Sequence, residues 1–413
     1  MTVCSYRQSP GGEASDEGPC RAVSNVQTVE YHTGIDGYDG IDDQGARGYR
    51  KVTSHATSDC PKQVQAWLTQ AVDSDASDLH LVAGYPPAIR IHGRLQELED
   101  TVLEGDDLQQ MLTAICPTLV MEQVVAHKNA DYCLEIDIHE KPMRFRANYF
   151  YNSGKMGACF RVIPTEIPDF EWAGFPRPIA QKLANLRNGL VLVTGVTGSG
   201  KTTTLAMIVN LINQAGGRRI VTVEEPVEYL YPKVSDSIIA QREIGEDVLT
   251  FADGLKYGLR QDPDVILVGE IRDRETAQMT LSAAETGHLV FATIHTRDVK
   301  GAISRYADLF PQIVQDEIRS QLAVSLRAVI SQHLLPSSLD GDKRRLALEI
   351  MFNSTPIANG IRTGKLMSID RYILSGRDEG MISLDESIKR LLQAGEITSE
   401  TAARFVSDGS YLD

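Results

Sequence analysis

The segment Gly195-Val196-Thr197-Gly198-Ser199-Gly200-Lys201-Thr202 fits the pattern G-x-x-x-x-G-K-[ST]. Glycines at those places let a backbone curl until its N–H groups point inward at a phosphate. Lys201 would bridge the β- and γ-phosphate oxygens, the Thr202 hydroxyl would ligate Mg²⁺, and the helix N-terminus that follows adds a favourable dipole. The expected ligands are ATP and Mg²⁺. The contacting residues are Gly195, Thr197, Gly198, Ser199, Gly200, Lys201, Thr202 and Thr203. An apolar run, Gly189 to Thr194, precedes the loop and a helical pattern over 202–214 follows it, which is the context such a cradle needs. Without that context the segment would read as a Gly-rich turn that happens to carry a lysine.

A cradle holds nucleotide but does not hydrolyse it. Carboxylates from neighbouring strand ends must hold Mg²⁺ and orient or deprotonate the attacking water. The run Val265-Ile266-Leu267-Val268 ends in Gly269-Glu270, which makes Glu270 a candidate metal residue beside Thr202. The run Ile220 to Val223 ends in Glu224-Glu225-Pro226-Val227-Glu228, three carboxylates that also fit a solvated loop. His288 and His295 flank the run Leu289 to Ile294, and on residue type alone both read as hydrogen-bonded structural histidines.

The elements that must position these residues follow from apolar patterning. The runs 189–194, 220–223, 265–268 and 289–294 are continuous rather than alternating, as in strands covered on both faces of a parallel sheet. Helical stretches separate them. A smaller α+β domain over 61–163 is expected ahead of this core, with strands at 79–82, 88–91, 132–138 and 145–151 and a helix near 105–126. Pro164, Pro168, Pro176 and Pro178 mark a semi-rigid linker over 164–178. The core spans 179–335 and a helical region 336–413, while residues 1–60, rich in Gly, Ser, Asp and Thr, read as a flexible tail.

Bulk composition narrows the classes. Of the 413 residues 42% are apolar, enough for two or three cores. The net charge of -15 argues against a surface built to neutralise nucleic-acid phosphates, so no nucleic-acid partner is expected. No two of the six cysteines form a C-x-x-C pair, and no apolar stretch approaches the roughly 18 residues a spanning helix needs. A cytoplasmic location is expected.

Taken in order, the motifs resemble those of secretion ATPases of the type II/type IV pilus superfamily, and most of all its retraction, or twitching-motility, branch. Ala76-Ser77-Asp78-Leu79-His80-Leu81 and Pro86-Pro87-Ala88-Ile89-Arg90 are similar to the opening of a PAS-like N-terminal domain. Residues 195–202 are similar to the family's Walker A, and 224–228 to its aspartate box. Residues 262–273 match its Walker B and 286–296 its histidine box.

The resemblance implies a RecA-like P-loop ATPase core, an α/β fold, with a smaller α+β PAS-like N-terminal domain and a helical C-terminal region. It implies that Glu228 positions or activates water and that Glu270 acts through Mg²⁺. His288 and His295 would couple the γ-phosphate to domain movement, and Arg146 and Arg161 would reach nucleotide phosphates. It also implies a homo-hexamer at the cytoplasmic face of the inner membrane, acting on a membrane platform protein beside a second retraction ATPase. Three departures stand out. Glu225 replaces an aspartate, Val196 a proline, and Glu317-Ile318-Arg319-Ser320 matches three of the four residues in the branch signature Ala-Ile-Arg-Ser. The paired C-x-x-C motifs of the assembly and type II secretion branch are missing.

Overall fold

A computed structural model of the chain describes residues 53–55, 60–91, 93–164, 166–339, 344–407 and 409. Most of the expected 1–60 tail lies outside the described residues. Within that span Thr53–His55 forms strand β1, which pairs in parallel with Cys133 to Glu135 and so belongs to the first sheet.

The N-terminal half opens with α1 (Lys62–Asp73), whose buried Val64, Trp67, Leu68 and Ala71 recur at the i, i+3, i+4, i+7 spacing of one helical face. Next come β2 (Asp78–Leu81), β3 (Ala88–Ile91) and β4 (Arg94–Glu97). Where one helix was expected near 105–126 there are two, α2 (Gly105–Ile115) and α3 (Thr118–His127). Pro117 lacks an N–H and cannot continue the first, so it stands at the entry of the second. Strands β5 (Asn129–Ile138), β6 (Lys141–Asn152) and β7 (Lys155–Ile163) complete a sheet of order β1-β5-β6-β7-β2-β3-β4. Alternate residues of these strands, among them Tyr132, Leu134, Phe145, Tyr149 and Phe160, are buried with the helices in one core. Their polar neighbours, including Asp78, Asp131, Arg144, Arg146 and Arg161, take the intervening positions.

Residues 166–178 lie within the stretch expected to be a semi-rigid linker. They hold α4 (Phe170–Ala173), and Phe170 and Phe175 pack into the second core. The helix α5 (Arg177–Ala184) starts with Pro178 in its first turn.

The second half alternates strand and helix: β8 (Gly189–Thr194), α6 (Lys201–Ala215), β9 (Arg219–Glu224), β10 (Ile238–Glu243), α7 (Phe251–Gly258), β11 (Val265–Val268), α8 (Arg274–Glu285), β12 (Leu289–Ile294), α9 (Val299–Asp308), α10 (Gln315–Ser325) and β13 (Leu326–Pro336). Every residue of β8, β11 and β12 is buried, so both faces of the central strands are covered. The sheet order is β10-β9-β11-β12-β8-β13-β14 and all pairings are parallel except the last. In consequence β8, β9, β11 and β12 all end on one sheet edge.

The expected change to helices after residue 335 is corrected at one point. β14 (Arg344–Phe352) runs antiparallel to β13 from Ala328↔Phe352 to Pro336↔Arg344. Helices follow only then: α11 (Thr355–Arg362), α12 (Ile369–Ser375), α13 (Leu384–Gln393) and α14 (Ser399–Phe405). Two polar ties bind this region to α9: the carboxylate of Glu349 accepts from Val299 N at 2.8 Å, and Lys300 pairs with Asp370 at 2.8 Å.

Candidate active site

The buried strand β8 delivers the chain into the glycine-rich loop. Gly195, Gly198 and Gly200 have φ of 146°, 77° and 86°, a region closed to most side chains, so the loop's tight curl depends on them. At Gly195 a Cβ would sit 2.5 Å from the Gln332 carbonyl oxygen and closer still to Ser199 Oγ. Lys201 opens α6 and donates to the carbonyls of Gly195 (3.0 Å) and Val196 (3.1 Å). Ser199 Oγ is buried without a partner. Val196, Thr197 and Gly198 form the exposed tip, and Thr203 bonds the Tyr229 hydroxyl at 3.0 Å.

The ends of β9 and β11 bring the carboxylates. Glu228, in the loop after β9, is pushed up by burial. The Thr202 hydroxyl and the cations Arg161, Arg146 and Lys201 partly oppose that push. Glu270, after β11, goes the other way. Burial alone would raise it, but hydrogen bonds from Arg272 (2.8 Å) and His295 (3.2 Å) outweigh burial and hold it below its ordinary value. Burial lowers Lys201, while Glu270 and Glu228 pull it back up. Lysine, both glutamates and the Thr202 hydroxyl therefore share one site.

Arg146 and Arg161 face it from the N-terminal half. They stand directly opposite each other on β6 and β7, and each is held by an aspartate, Asp131 at 3.3 Å and Asp78 at 2.9 Å.

The structure separates the two histidines. His295 follows β12 at the site edge, against Glu270. His288 precedes β12, where its Nδ1 lies 3.0 Å from the Ala283 carbonyl and 3.3 Å from Thr286 Oγ1. The six residues of β12, at about 3.3 Å each, put the two roughly 20 Å apart. His288 therefore lies at the opposite end of β12 from His295, against the last turn of α8.

Sequence reasoning missed several residues here. Arg272 ties Glu270 to Glu225 (3.2 Å), and the alternation of residues 270 and 272 could have revealed it. Gln332 donates to Thr204 at 2.9 Å, and Arg344, on the unforeseen β14, donates to Gly198 O at 3.3 Å. Neither carries a local signal. The residues present do fit a magnesium nucleotide. The loop offers an orphaned hydroxyl, a buried amine and one glycine, Gly195, whose added carbon would collide, and the flanking donors are hard oxygens.

The model of a family described as "Type II/IV secretion system protein" matches residues 54–368. The chain belongs to that family. It is 38% identical over 323 residues to a twitching motility protein of Neisseria gonorrhoeae (78% of this chain, 85% of the relative), and 38% identical over 335 residues to the type IV pilus retraction ATPase PilT of Pseudomonas aeruginosa (81% and 95%). An Escherichia coli protein called YggR, described as uncharacterized, is 39% identical over 328 residues (79% and 97%). The fold matches the crystal structure of the pilus retraction motor PilT with bound ADP, with a TM-score of 0.74, 40% identity, and coverage of 83% of this chain and 96% of that one. This family member has the mixed α/β architecture of that ATPase.

Proposed function

We propose that this chain hydrolyses ATP and that the work drives type IV pilus retraction. The observation that carries the chemistry is the convergence of Lys201, Glu228 and Glu270 on the glycine-rich loop at one sheet edge. The relatives named for twitching motility and retraction support the choice of motor.

In this reading the loop amides and Lys201 hold the β- and γ-phosphates. Thr202 and Glu270 would hold Mg²⁺, which when bound neutralises phosphate charge. Glu228 orients the attacking water and accepts its proton, a role for which a raised affinity for protons suits it. Arg146 and Arg161 neutralise charge that grows on the phosphoryl group. His295, through Glu270, reports the state of the site to the segment that leads into α9. Six copies form a ring at the cytoplasmic face of the inner membrane, with a platform protein and a second retraction ATPase as partners.

The test is steady-state ATP hydrolysis by the purified protein beside Glu228→Gln and Lys201→Ala, with particle size followed by light scattering. Magnesium-dependent turnover in a hexamer-sized particle, reduced at least 100-fold in both variants (about 2.7 kcal/mol of barrier), is the expected result. Nucleotide binding without turnover would reject the motor in favour of a regulatory ring subunit. In cells, loss of the gene should leave surface pili in place but unable to withdraw. Bald cells would indicate an assembly motor.

A further inference from the structure

The loop that carries Glu228 is fastened from behind by two side chains of β10. Gln241 and Glu243 are two residues apart and so share one side of that strand. Gln241 Nε2 donates to Tyr229 O at 2.7 Å, and its Oε1 accepts from Tyr231 N at 3.1 Å. Glu243 Oε2 accepts from Val227 N at 3.0 Å. The backbone is thus held at residues 227, 229 and 231, on both sides of Glu228. A third group comes from the other half of the molecule. Arg144, on β6, donates to Val227 O at 3.5 Å and approaches Glu243 to 3.7 Å.

The peptide groups next to Glu228 are therefore gripped by an acid of the ATPase half and a base of the N-terminal half. Arg144 and Glu243 are 14% and 6% exposed. Among the described residues Arg144 is the only cation within 4.0 Å of Glu243, whose Oε1 is buried without a hydrogen-bond partner. A buried carboxylate in that state depends heavily on its one counter-charge. If the N-terminal half moves away, the Val227 carbonyl and the Glu243 carboxylate lose Arg144 in a single event.

We propose that Arg144 and Glu243 form a clamp across the two halves that positions Glu228, so that hydrolysis depends on the N-terminal half being docked. The proposal rests on the reading of Glu228 as the residue that orients water. Arg144 and Glu243 are positioning residues: they act through residue 227 and have no part in holding nucleotide.

The experiment uses the full chain and reads kcat, KM, the affinity for a fluorescent ATP analogue, and the thermal midpoint. Arg144→Met should lower kcat at least tenfold with KM and affinity unchanged within twofold. Arg144→Lys should recover part of the loss, since it returns the charge but not the planar fork. Glu243→Gln, which keeps an oxygen for Val227 N, should lower kcat at least threefold. The double variant R144M/E243Q leaves no buried carboxylate uncompensated, so it should fold well and still show the low kcat. In a Glu228→Gln background, where single-turnover rates are compared, Arg144→Met should slow the reaction by less than twofold.

A kcat within twofold of wild type in R144M, E243Q and the double variant would overturn the clamp, as would an undiminished R144M effect in the Glu228→Gln background. Wild-type turnover in Glu228→Gln alone would instead overturn the role given to Glu228, and the clamp with it.

Discussion

Glu228 and Glu270 are two carboxylates beside one lysine, yet their surroundings push them apart. Glu270 is hydrogen-bonded to Arg272 and His295, which favours the charged form. Glu228 is more deeply set, and burial raises it despite three nearby cations. Divergent proton affinities of this kind separate a group that stays ionised from one that takes a proton. The acid limb of the rate profile should therefore lie above the usual carboxylate range. Arg161 is one of the charges that pull Glu228 down, so removing it raises Glu228 further. Arg161→Leu should shift the acid limb of kcat to higher pH, beyond any uniform loss of rate. A limb that stays in place, measured from pH 5 to 9, would show that Glu228 does not feel Arg161.

At the scale of elements, the entry of α9 gives a separate pH signature. Glu349, on β14, is raised to about 7, first by burial and then by Asp298 and Asp370, against the opposing bond from Val299 N and the charge of Lys300. A carboxylate raised on folding binds its proton more tightly in the native state. Its contribution to stability is therefore complete at low pH and is lost as pH rises from about 4.5 to about 7, by about 3 kcal/mol. Glu349→Gln keeps an acceptor for Val299 N but cannot ionise. Its melting temperature relative to wild type should rise between pH 5 and pH 8. A constant difference would refute the assignment.

The contrast between β11 and β14 shows what local sequence could convey. Val265-Ile266-Leu267-Val268 is apolar throughout and names itself as a buried strand. Arg344 to Phe352, rich in Arg, Leu, Ala, Glu and Met, carries helix-forming residues and becomes a strand only because β13 offers it a partner. β10, Ile238 to Glu243, was hidden for a related reason: as an edge strand with polar Gln241, Arg242 and Glu243 it lacks an apolar signature. The glycine-rich loop and Glu270 were legible because their chemistry is local. The clamp was not, since it joins residues 144, 227 and 243 from three separate elements. His288 shows the opposite limit, a recognisable motif whose two histidines a single strand holds far apart.

Over the whole molecule, the two halves have separate hydrophobic cores, one built on Phe145, Tyr149 and Phe160 and the other on the strands from β8 to β14. Calorimetry should resolve two unfolding transitions. ATP with Mg²⁺ at 100 times its Kd should stabilise the larger unit by about 2.7 kcal/mol and move its transition upward. A single transition in the presence and absence of nucleotide would mean that the halves unfold as one.

The large sheet is bounded by β10 on one side and β14 on the other. On β14, Ile350 exchanges both backbone bonds with Ile382, and Leu348 N is taken by Ser387 Oγ. On β10, the Glu243 amide is taken by Asp247 and the Gln241 and Glu243 side chains cross to the loop at 227–231. Both margins are thereby blunted against the template-like addition of a strand from another copy. The large sheet therefore offers little free backbone at its margins for a strand to extend it toward a cross-β fibre.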